Sequence, residues 1–191
     1  MPEHELLVIL DLNELLACKV RRESSTDREY REEHFQHTTI GRNNIKCYLR
    51  PGVKEFLETL LETYYVAIWS STTWTNAKDI IEALLTKDQQ KQLQFIWVRD
   101  RVELDPDYGK NPDISEFNTV KRIERVLLSP MINDRRKFTE DNVVIIDNEL
   151  SKIRFNKPEQ QLLVPSFTMD EDEADGLVWE TIFEKLSEWA A

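Results

Sequence analysis

Cysteine is scarce in this sequence: Cys18 and Cys47 are the two among its 191 residues. Their spacing matches no metal-binding pattern, and two cysteines are too few for the disulfide framework of a small secreted protein. We therefore expect a reducing compartment, with the cytoplasm or the nucleus as the location. Residues 1–5 agree with this, because they are acidic and lead directly into an apolar run, unlike a signal or transit peptide.

Basic residues and long apolar runs are also in short supply. The chain carries 25 Lys and Arg against 36 Asp and Glu, which gives a formal net charge of −11 and a pI near 4.9. Because a phosphate backbone demands a basic protein face, we expect no nucleic-acid binding, although a local basic patch stays compatible with the sequence. No apolar run approaches the roughly 20 residues that cross a bilayer, so we also expect no membrane insertion.

The sequence does contain a regular alternation of short apolar runs and amphipathic segments. Three runs, at residues 6–10, 64–69 and 143–146, are typical of buried parallel strands. Residues 53–61 and 77–85 place their apolar side chains at helical spacing. The alternation predicts an α/β fold, a Rossmann-like three-layer sandwich with a mostly parallel central sheet and helices on both faces.

The chain length predicts a single domain over residues 1–191. The highly charged segment at about 17–46 has few core candidates, so we expect a small flap insertion there. A third helix is predicted over 115–127, with Phe117 among its apolar positions. The acidic stretch 170–173 is predicted to be a solvated loop. A last helix is predicted to bury a stripe of four apolar residues, Val178, Ile182, Leu186 and Trp189.

Two of the apolar runs end in an aspartate. Asp11 follows residues 6–10, and Asp147 follows residues 143–146. Because ligands of open α/β sheets bind at the carboxyl ends of the strands, we expect the two carboxylates to share one crevice. Such a pair suits a hard cation, Mg²⁺, and phosphate held through it. The alternative, that each Asp merely starts a loop, is weaker for two such ends than for one.

Four pieces in chain order carry a resemblance to a known superfamily. They are residues 11–16 (Asp-Leu-Asn-Glu-Leu-Leu), Ser70, Lys121, and Asp147 with Asn148. In this order they resemble the motifs of the haloacid dehalogenase superfamily of phosphotransferases. Longer stretches are similar to one branch, the RNA polymerase II C-terminal-domain phosphatase or NLI-interacting-factor-like family. These stretches cover residues 48–57, 66–71, 119–121, 145–148 and 164–167.

The resemblance implies a haloacid-dehalogenase-like fold and a role for each matching residue. Asp11 matches the nucleophile, which forms an aspartyl-phosphate. Ser70 matches a hydroxyl that donates a hydrogen bond to a phosphoryl oxygen, and Ser71 precedes a helix start, where free N–H groups favour an anion. Helix capping by serine or threonine is the competing interpretation. Lys121 matches a lysine that balances charge on the phosphoryl group and the carboxylates, the alternative being a solvated helix lysine.

The same resemblance implies a set of Mg²⁺ ligands and a class of substrate. Asp147 and Asn148 match the metal-binding pair of the family, and Asp11 joins them. At the position of Asn13 the family uses a backbone carbonyl as a ligand, and an asparagine keeps that carbonyl. The short flap leaves an open site, which suits a phosphoprotein or peptide better than a metabolite. We expect a monomer or a subunit of a protein complex.

Asn13 also marks the main departure from the family pattern. The family has an Asp there, which protonates the leaving oxygen and then activates water, whereas a carboxamide has no proton to exchange. Losing such a group typically costs ~10²–10⁴-fold in rate. Glu14 is a poor replacement if the segment is extended, because neighbouring side chains then point in opposite directions. Two functions stay open: a Mg²⁺-dependent phosphatase of reduced activity, or a catalytically inactive scaffold that binds a (phospho)protein partner.

Overall fold

The computed structural model describes residues 2–134, 137–169 and 177–190; the acidic stretch 170–173 lies outside them. The strands are β1 (Leu7–Leu10), β2 (Ala17–Val20), β3 (His37–Ile40), β4 (Ile45–Leu49), β5 (Tyr65–Trp69), β6 (Ile96–Trp97), β7 (Glu103–Leu104), β8 (Thr119–Val120), β9 (Val143–Asp147) and β10 (Gln161–Leu163). The helices are α1 (Ser25–His34), α2 (Val53–Thr63), α3 (Trp74–Leu84), α4 (Lys87–Gln90), α5 (Ile123–Leu127), α6 (Leu150–Ile153) and α7 (Leu177–Ala190). Within these residues no helix combines the length and the apolar character that crossing a bilayer requires.

Five strands form a parallel sheet in the order β10, β9, β1, β5, β6. β1 lies in the middle, where Leu10 is paired with Ile146 of β9 on one side and with Ile68 of β5 on the other. Every residue of β1 is buried, as expected for a parallel strand that is covered on both faces. The predicted α/β fold with a parallel central sheet is confirmed.

Different helices cover the two faces of this sheet. Because successive side chains of a strand point to opposite faces, Val8 and Leu10 belong to one apolar core, and Leu7 and Ile9 belong to the other. The first core includes buried residues of three helices, Phe56, Leu57 and Leu60 of α2, Ala77, Ile80 and Ile81 of α3, and Trp179, Ile182 and Leu186 of α7. The second core includes Ile123, Val126 and Ile153 of α5 and α6. Two cores on either side of one sheet give the predicted three layers.

The charged segment 17–46, together with the rest of β4, forms a second sheet, which is antiparallel and ordered β2, β4, β3. Ile40 and Cys47 of this sheet belong to the first core. The Gly41 amide also donates a hydrogen bond to Asp79 Oδ2 of α3 at 2.7 Å. Helix α1, by contrast, buries none of its residues. The segment therefore carries more core residues than the sequence suggested, and its description as a flap stays a prediction.

The helix predicted over 115–127 is wrong in its first half. Helix α5 begins at Ile123, and the residues just before it include β8, which pairs antiparallel with β7. The Oδ1 of Asn118 accepts hydrogen bonds from the amide and the Oγ of Ser115 at 2.9 and 2.8 Å. These bonds close a local turn, which competes with a helix over these residues. Phe117 consequently lies on the surface, with 82% of its area exposed.

The last helix has the predicted position but a shifted buried face. Helix α7 buries Trp179, Ile182 and Leu186. Val178 and Trp189, which were predicted for the stripe, are partly buried at its margin. Trp179 takes the central place because its ring stacks on Phe56 with centroids 4.3 Å apart, and its Nε1 donates to the Pro51 carbonyl at 2.7 Å.

Candidate active site

The ends of β1 and β9 bring Asp11 and Asp147 to the same edge of the sheet. The two strands pair in register, with Leu10 beside Ile146, and the Asp11 amide donates to the Ile146 carbonyl at 3.1 Å. Asp11 is 1% exposed and Asp147 is fully buried. Both carboxylates are thus withdrawn from water, which is costly for a charge unless it has a partner.

Lys121 is that partner for both carboxylates. Its Nζ lies 2.6 Å from Asp11 Oδ1 and 2.6 Å from Asp147 Oδ2. The backbone of Lys121 is held as well, because its amide donates to the Lys152 carbonyl at 2.7 Å and its carbonyl accepts from Asn156 Nδ2 at 2.9 Å. Lys121 is 1% exposed, so it is not a solvated helix lysine.

Asp11, Lys121 and Asp147 form a triad in which burial and ion pairing shift the pKa values of Lys121 and Asp147. Burial alone would lower the pKa of Lys121, but the charges of the two aspartates outweigh burial and raise that pKa. Burial raises the pKa of the Asp147 carboxyl, and the charge of Lys121 opposes this effect only in part. Two carboxyl groups share the positive charge of one lysine, so this arrangement can accommodate a further cation.

Three buried oxygen atoms near the triad have no hydrogen-bond partner: Asp11 Oδ2, Asn13 Oδ1 and Asn148 Oδ1. Unpaired buried acceptors are uncommon in folded proteins, and carboxylate and amide oxygens are ligands that Mg²⁺ accepts. These residues therefore fit a hard divalent cation. Among the described residues no three His, Cys, Asp or Glu side chains gather as a metal site, so the fit depends on the asparagine amides as well as on the carboxylates.

Two acceptors fix the orientation of the Asn148 amide. Its Nδ2 donates to Ser166 Oγ at 2.9 Å and to Glu14 Oε2 at 3.3 Å, which leaves Oδ1 as the unpaired atom. Glu14 reaches Asn148 because its φ of 59° turns the chain after β1. The segment is therefore not extended, contrary to the assumption made for Glu14, while the expectation that Glu14 is a poor replacement for the missing Asp stays a prediction.

Ser70 and Ser71 follow β5, on the side of β1 opposite to β9. Ser70 is buried, and its Oγ accepts a hydrogen bond from the Thr72 amide at 3.4 Å. The hydroxyl of Ser71 pairs with Thr119 Oγ1 at 3.2 Å. Thr73 is the N-cap residue of α3, and it makes no side-chain capping hydrogen bond. Helix capping therefore does not account for Ser70.

Two basic residues to which the sequence assigned no role lie beside this loop. Lys19 Nζ donates to Thr72 Oγ1 at 3.3 Å, and Arg99 Nε donates to the Ser71 carbonyl at 3.0 Å. Lys19 and Thr72 are 53 positions apart in the chain. No local pattern indicates such a contact, which depends on how the second sheet packs against the first.

The parallel α/β sheet, with its ion-paired aspartates at the carboxyl ends of two neighbouring strands, is the arrangement of the haloacid dehalogenase type of phosphatase. Within that class, the chain belongs to the NLI interacting factor-like phosphatase family, which it matches over residues 6–189.

Related proteins agree with this assignment. The chain is 26% identical over 153 residues to an uncharacterized FCP1 homology domain-containing protein of Schizosaccharomyces pombe, which covers 78% of this chain and 57% of that protein. It is similar to a structure of fission yeast RNA polymerase II CTD phosphatase Fcp1 with bound beryllium fluoride, at a TM-score of 0.53 and 16% identity over 96% of this chain and 50% of that chain. A second structure of Fcp1 gives a TM-score of 0.53 and 17% identity, over 96% of this chain and 48% of that chain. The chain thus spans about half the length of these proteins, and the structural likeness concerns the fold.

Proposed function

We propose that residues 1–191 act as one phosphatase-like domain, with a charged flap at about 17–46, that hydrolyses phosphoserine or phosphothreonine in a Mg²⁺-dependent reaction. The observation that carries this proposal is the buried triad in which Lys121 bridges Asp11 and Asp147. Membership of a phosphatase family supports the reaction class. Turnover is proposed to be weak because of Asn13.

Asp11 is proposed as the nucleophile. One of its carboxylate oxygens bonds to phosphorus while the bond from phosphorus to the substrate oxygen breaks, and the leaving oxygen takes a proton from solvent; water then attacks phosphorus, the bond to Asp11 breaks, and inorganic phosphate leaves. Asp11, Asp147 and Asn148 would hold Mg²⁺ together with Asn13, through its backbone carbonyl or through its unpaired Oδ1. When bound, the cation offsets phosphoryl charge that otherwise repels an anionic nucleophile.

Ser70, Ser71 and Lys121 are proposed to bind the phosphoryl group. The hydroxyl of Ser70 lies at the end of β5, next to the strand that ends in Asp11, and it can donate a hydrogen bond to a phosphoryl oxygen. Lys121 stays charged, so it can balance negative charge that moves from the substrate onto Asp11.

Asn13 favours a second candidate function, which is binding without turnover. An amide can neither protonate a serine leaving group nor activate water. The triad and the unpaired oxygens do not depend on a proton at position 13, so phosphate binding survives better than hydrolysis. The alternative is therefore a catalytically inactive phosphatase-like scaffold that holds a (phospho)protein partner.

A phosphoprotein or peptide is the proposed substrate class. The Fcp1 proteins with this fold are described as RNA polymerase II CTD phosphatases, and we extend to this chain only the protein nature of the substrate. In the part of the chain that the structure describes, the segments between the motifs form no substantial cap domain, which disfavours a small metabolite. The cytoplasmic or nuclear location, the lack of nucleic-acid binding and the monomeric or complex-bound state stay predictions.

Leaving-group chemistry separates the two functions. Purified protein is incubated with an aryl phosphate and with a phosphoserine peptide, with and without Mg²⁺. We expect the aryl ester to be cleaved better, because its leaving group needs little protonation. Asn13→Asp should raise phosphoserine turnover by about 10²-fold or more, while Asn111→Asp, in an exposed loop, serves as the matched control.

Three outcomes are informative. Absence of turnover in the natural chain and in Asn13→Asp contradicts the enzyme proposal. Phosphopeptide binding that is lost in Asp147→Ala then supports the scaffold. Turnover that does not depend on Mg²⁺ contradicts the proposed metal site.

A further inference from the structure

Lys19 is a charged residue of the site region that the proposed mechanism does not use. It lies on β2, and its Nζ donates to Thr72 Oγ1 at 3.3 Å. This contact places the ammonium group at residues 70–73, the loop that joins β5 to α3. Lys19 is partly buried, and among the described residues it forms no ion pair with a carboxylate.

A second basic residue lies at the same loop as Lys19, because Arg99 Nε donates to the Ser71 carbonyl at 3.0 Å. Burial is the main cause that lowers the pKa of Lys19; the charges of Cys47 and Asp11 oppose it, and the smaller effects of Arg21 and Arg99 add to it. Burial therefore outweighs the favourable charge of Asp11, and because no carboxylate pairs directly with Lys19 among the described residues, its charge is only partly compensated. A bound anion would complete the compensation.

The position of this loop indicates which anion. Residues 70–73 follow β5, the direct neighbour of β1, whose end carries Asp11. Ser70, which is proposed to bind the phosphoryl group, begins this loop, and its Oγ accepts from the amide of Thr72, the residue that Lys19 contacts. Lys121 is already paired with two carboxylates at 2.6 Å each, so an incoming phosphate dianion benefits from a cation that is not paired with a carboxylate.

We propose that Lys19 binds the phosphoryl group of the substrate, on the β5 side of Asp11. The inference rests on the proposed function and adds a phosphate-binding residue from the second sheet. In this proposal β2 has a function, because it carries Lys19 to the loop after β5. The competing explanation is that Lys19 only ties β2 to the loop through Thr72.

Lys19→Gln distinguishes these two explanations. Glutamine keeps a side-chain N–H that can donate to Thr72, but it removes the positive charge. We expect the affinity for inorganic phosphate and for a phosphoserine peptide, measured calorimetrically in Mg²⁺, to fall by about 10- to 100-fold, the range for loss of a charge-assisted hydrogen bond. Lys19→Arg should recover most of the affinity, because it restores the charge.

Lys46→Gln is the matched control. Lys46 lies on β4 of the same sheet, and its Nζ is already paired with Glu32 of α1 at 2.8 Å. This variant should bind phosphate as the natural chain does. Thermal unfolding of all variants shows whether they fold, and Lys19→Arg keeps the test valid if Lys19→Gln loses stability.

Two results would count against the inference, and they are distinguishable from failure of the proposed function. If Lys19→Gln binds phosphate within twofold of the natural chain, Lys19 is not a phosphate ligand and the proposed function stands. If Lys19→Gln and Lys19→Arg are equally impaired, the residue matters through its shape and not its charge. If the natural chain itself binds no phosphate in Mg²⁺, the proposed function fails first.

Discussion

The amide of Asn148 illustrates how two neighbours determine which atom a side chain offers. Ser166 and Glu14 both accept hydrogen bonds from Nδ2, so the carbonyl oxygen Oδ1 is left buried and unpaired. Without these acceptors the amide can rotate and expose Nδ2, which cannot bind a cation. Outer residues of this kind orient metal ligands in many proteins.

Ser166→Ala tests this orientation directly. The variant removes the shorter of the two hydrogen bonds, so we expect the Mg²⁺ affinity to fall by about 10-fold, within the range for loss of an outer hydrogen bond. Titration calorimetry with Mg²⁺ alone measures the change without any need for turnover. Ser187→Ala on α7 is the control, because that serine donates to the Phe183 carbonyl within its own helix. Equal affinity in Ser166→Ala and the natural chain would mean that Glu14 alone orients the amide.

The positions of some site residues can be predicted from the sequence, and those of others cannot. The convergence of Asp11 and Asp147 was predictable, because apolar runs define parallel strands and parallel strands align their carboxyl ends. The position of Glu14 was not predictable, because it depends on the positive φ of that residue, and the prediction assumed an extended segment. The position of Lys19 near the site was not predicted either, because its contact with Thr72 joins the second sheet to the loop after β5.

At the scale of elements, periodicity was reliable where packing alone decides the structure. Helices α2 and α3 bury the apolar residues that their spacing predicts. Residues 115–122 behave differently, because Asn118 and Ser115 close a side-chain turn that competes with helix formation. The second sheet was largely hidden from the sequence, since β2 and β3 have four residues each and carry too few apolar side chains for a clear alternation.

Helix α7 depends on Trp179 for its attachment to α2. The indole stacks on Phe56 at 4.3 Å and donates to Pro51 at 2.7 Å, so Trp179→Ala should lower the free energy of unfolding by about 3–5 kcal/mol. Trp179→Phe keeps an aromatic ring and should lose less. Urea denaturation measures both. Trp74→Ala, with 53% of that side chain exposed, is the matched control, and a similar loss there would show that the stacking is not the cause.

At the scale of the whole molecule, the net charge is negative although basic side chains gather near the candidate site. The chain carries a net charge of −11, which predicts little attraction for an anionic ligand. The fold nevertheless brings Lys19 and Arg99 to the loop after β5, and it places Lys121 between two carboxylates. A net charge excludes extended basic faces, but it cannot locate a small basic patch, because that patch comes from residues far apart in the chain.

The pH dependence of global stability follows from a thiol in the second sheet. Burial raises the pKa of Cys47 from its ordinary 9.0 to about 12. The folded chain therefore keeps a proton that the unfolded chain loses, so the contribution of Cys47 to stability is fully present below pH 9.0 and is lost as the pH rises towards about 12. Urea denaturation between pH 8 and pH 11 should show the natural chain losing stability faster than Cys47→Ala. Cys18→Ala, which keeps the buried thiol, should follow the natural chain, and parallel curves for all three proteins would mean that Cys47 is not buried as described.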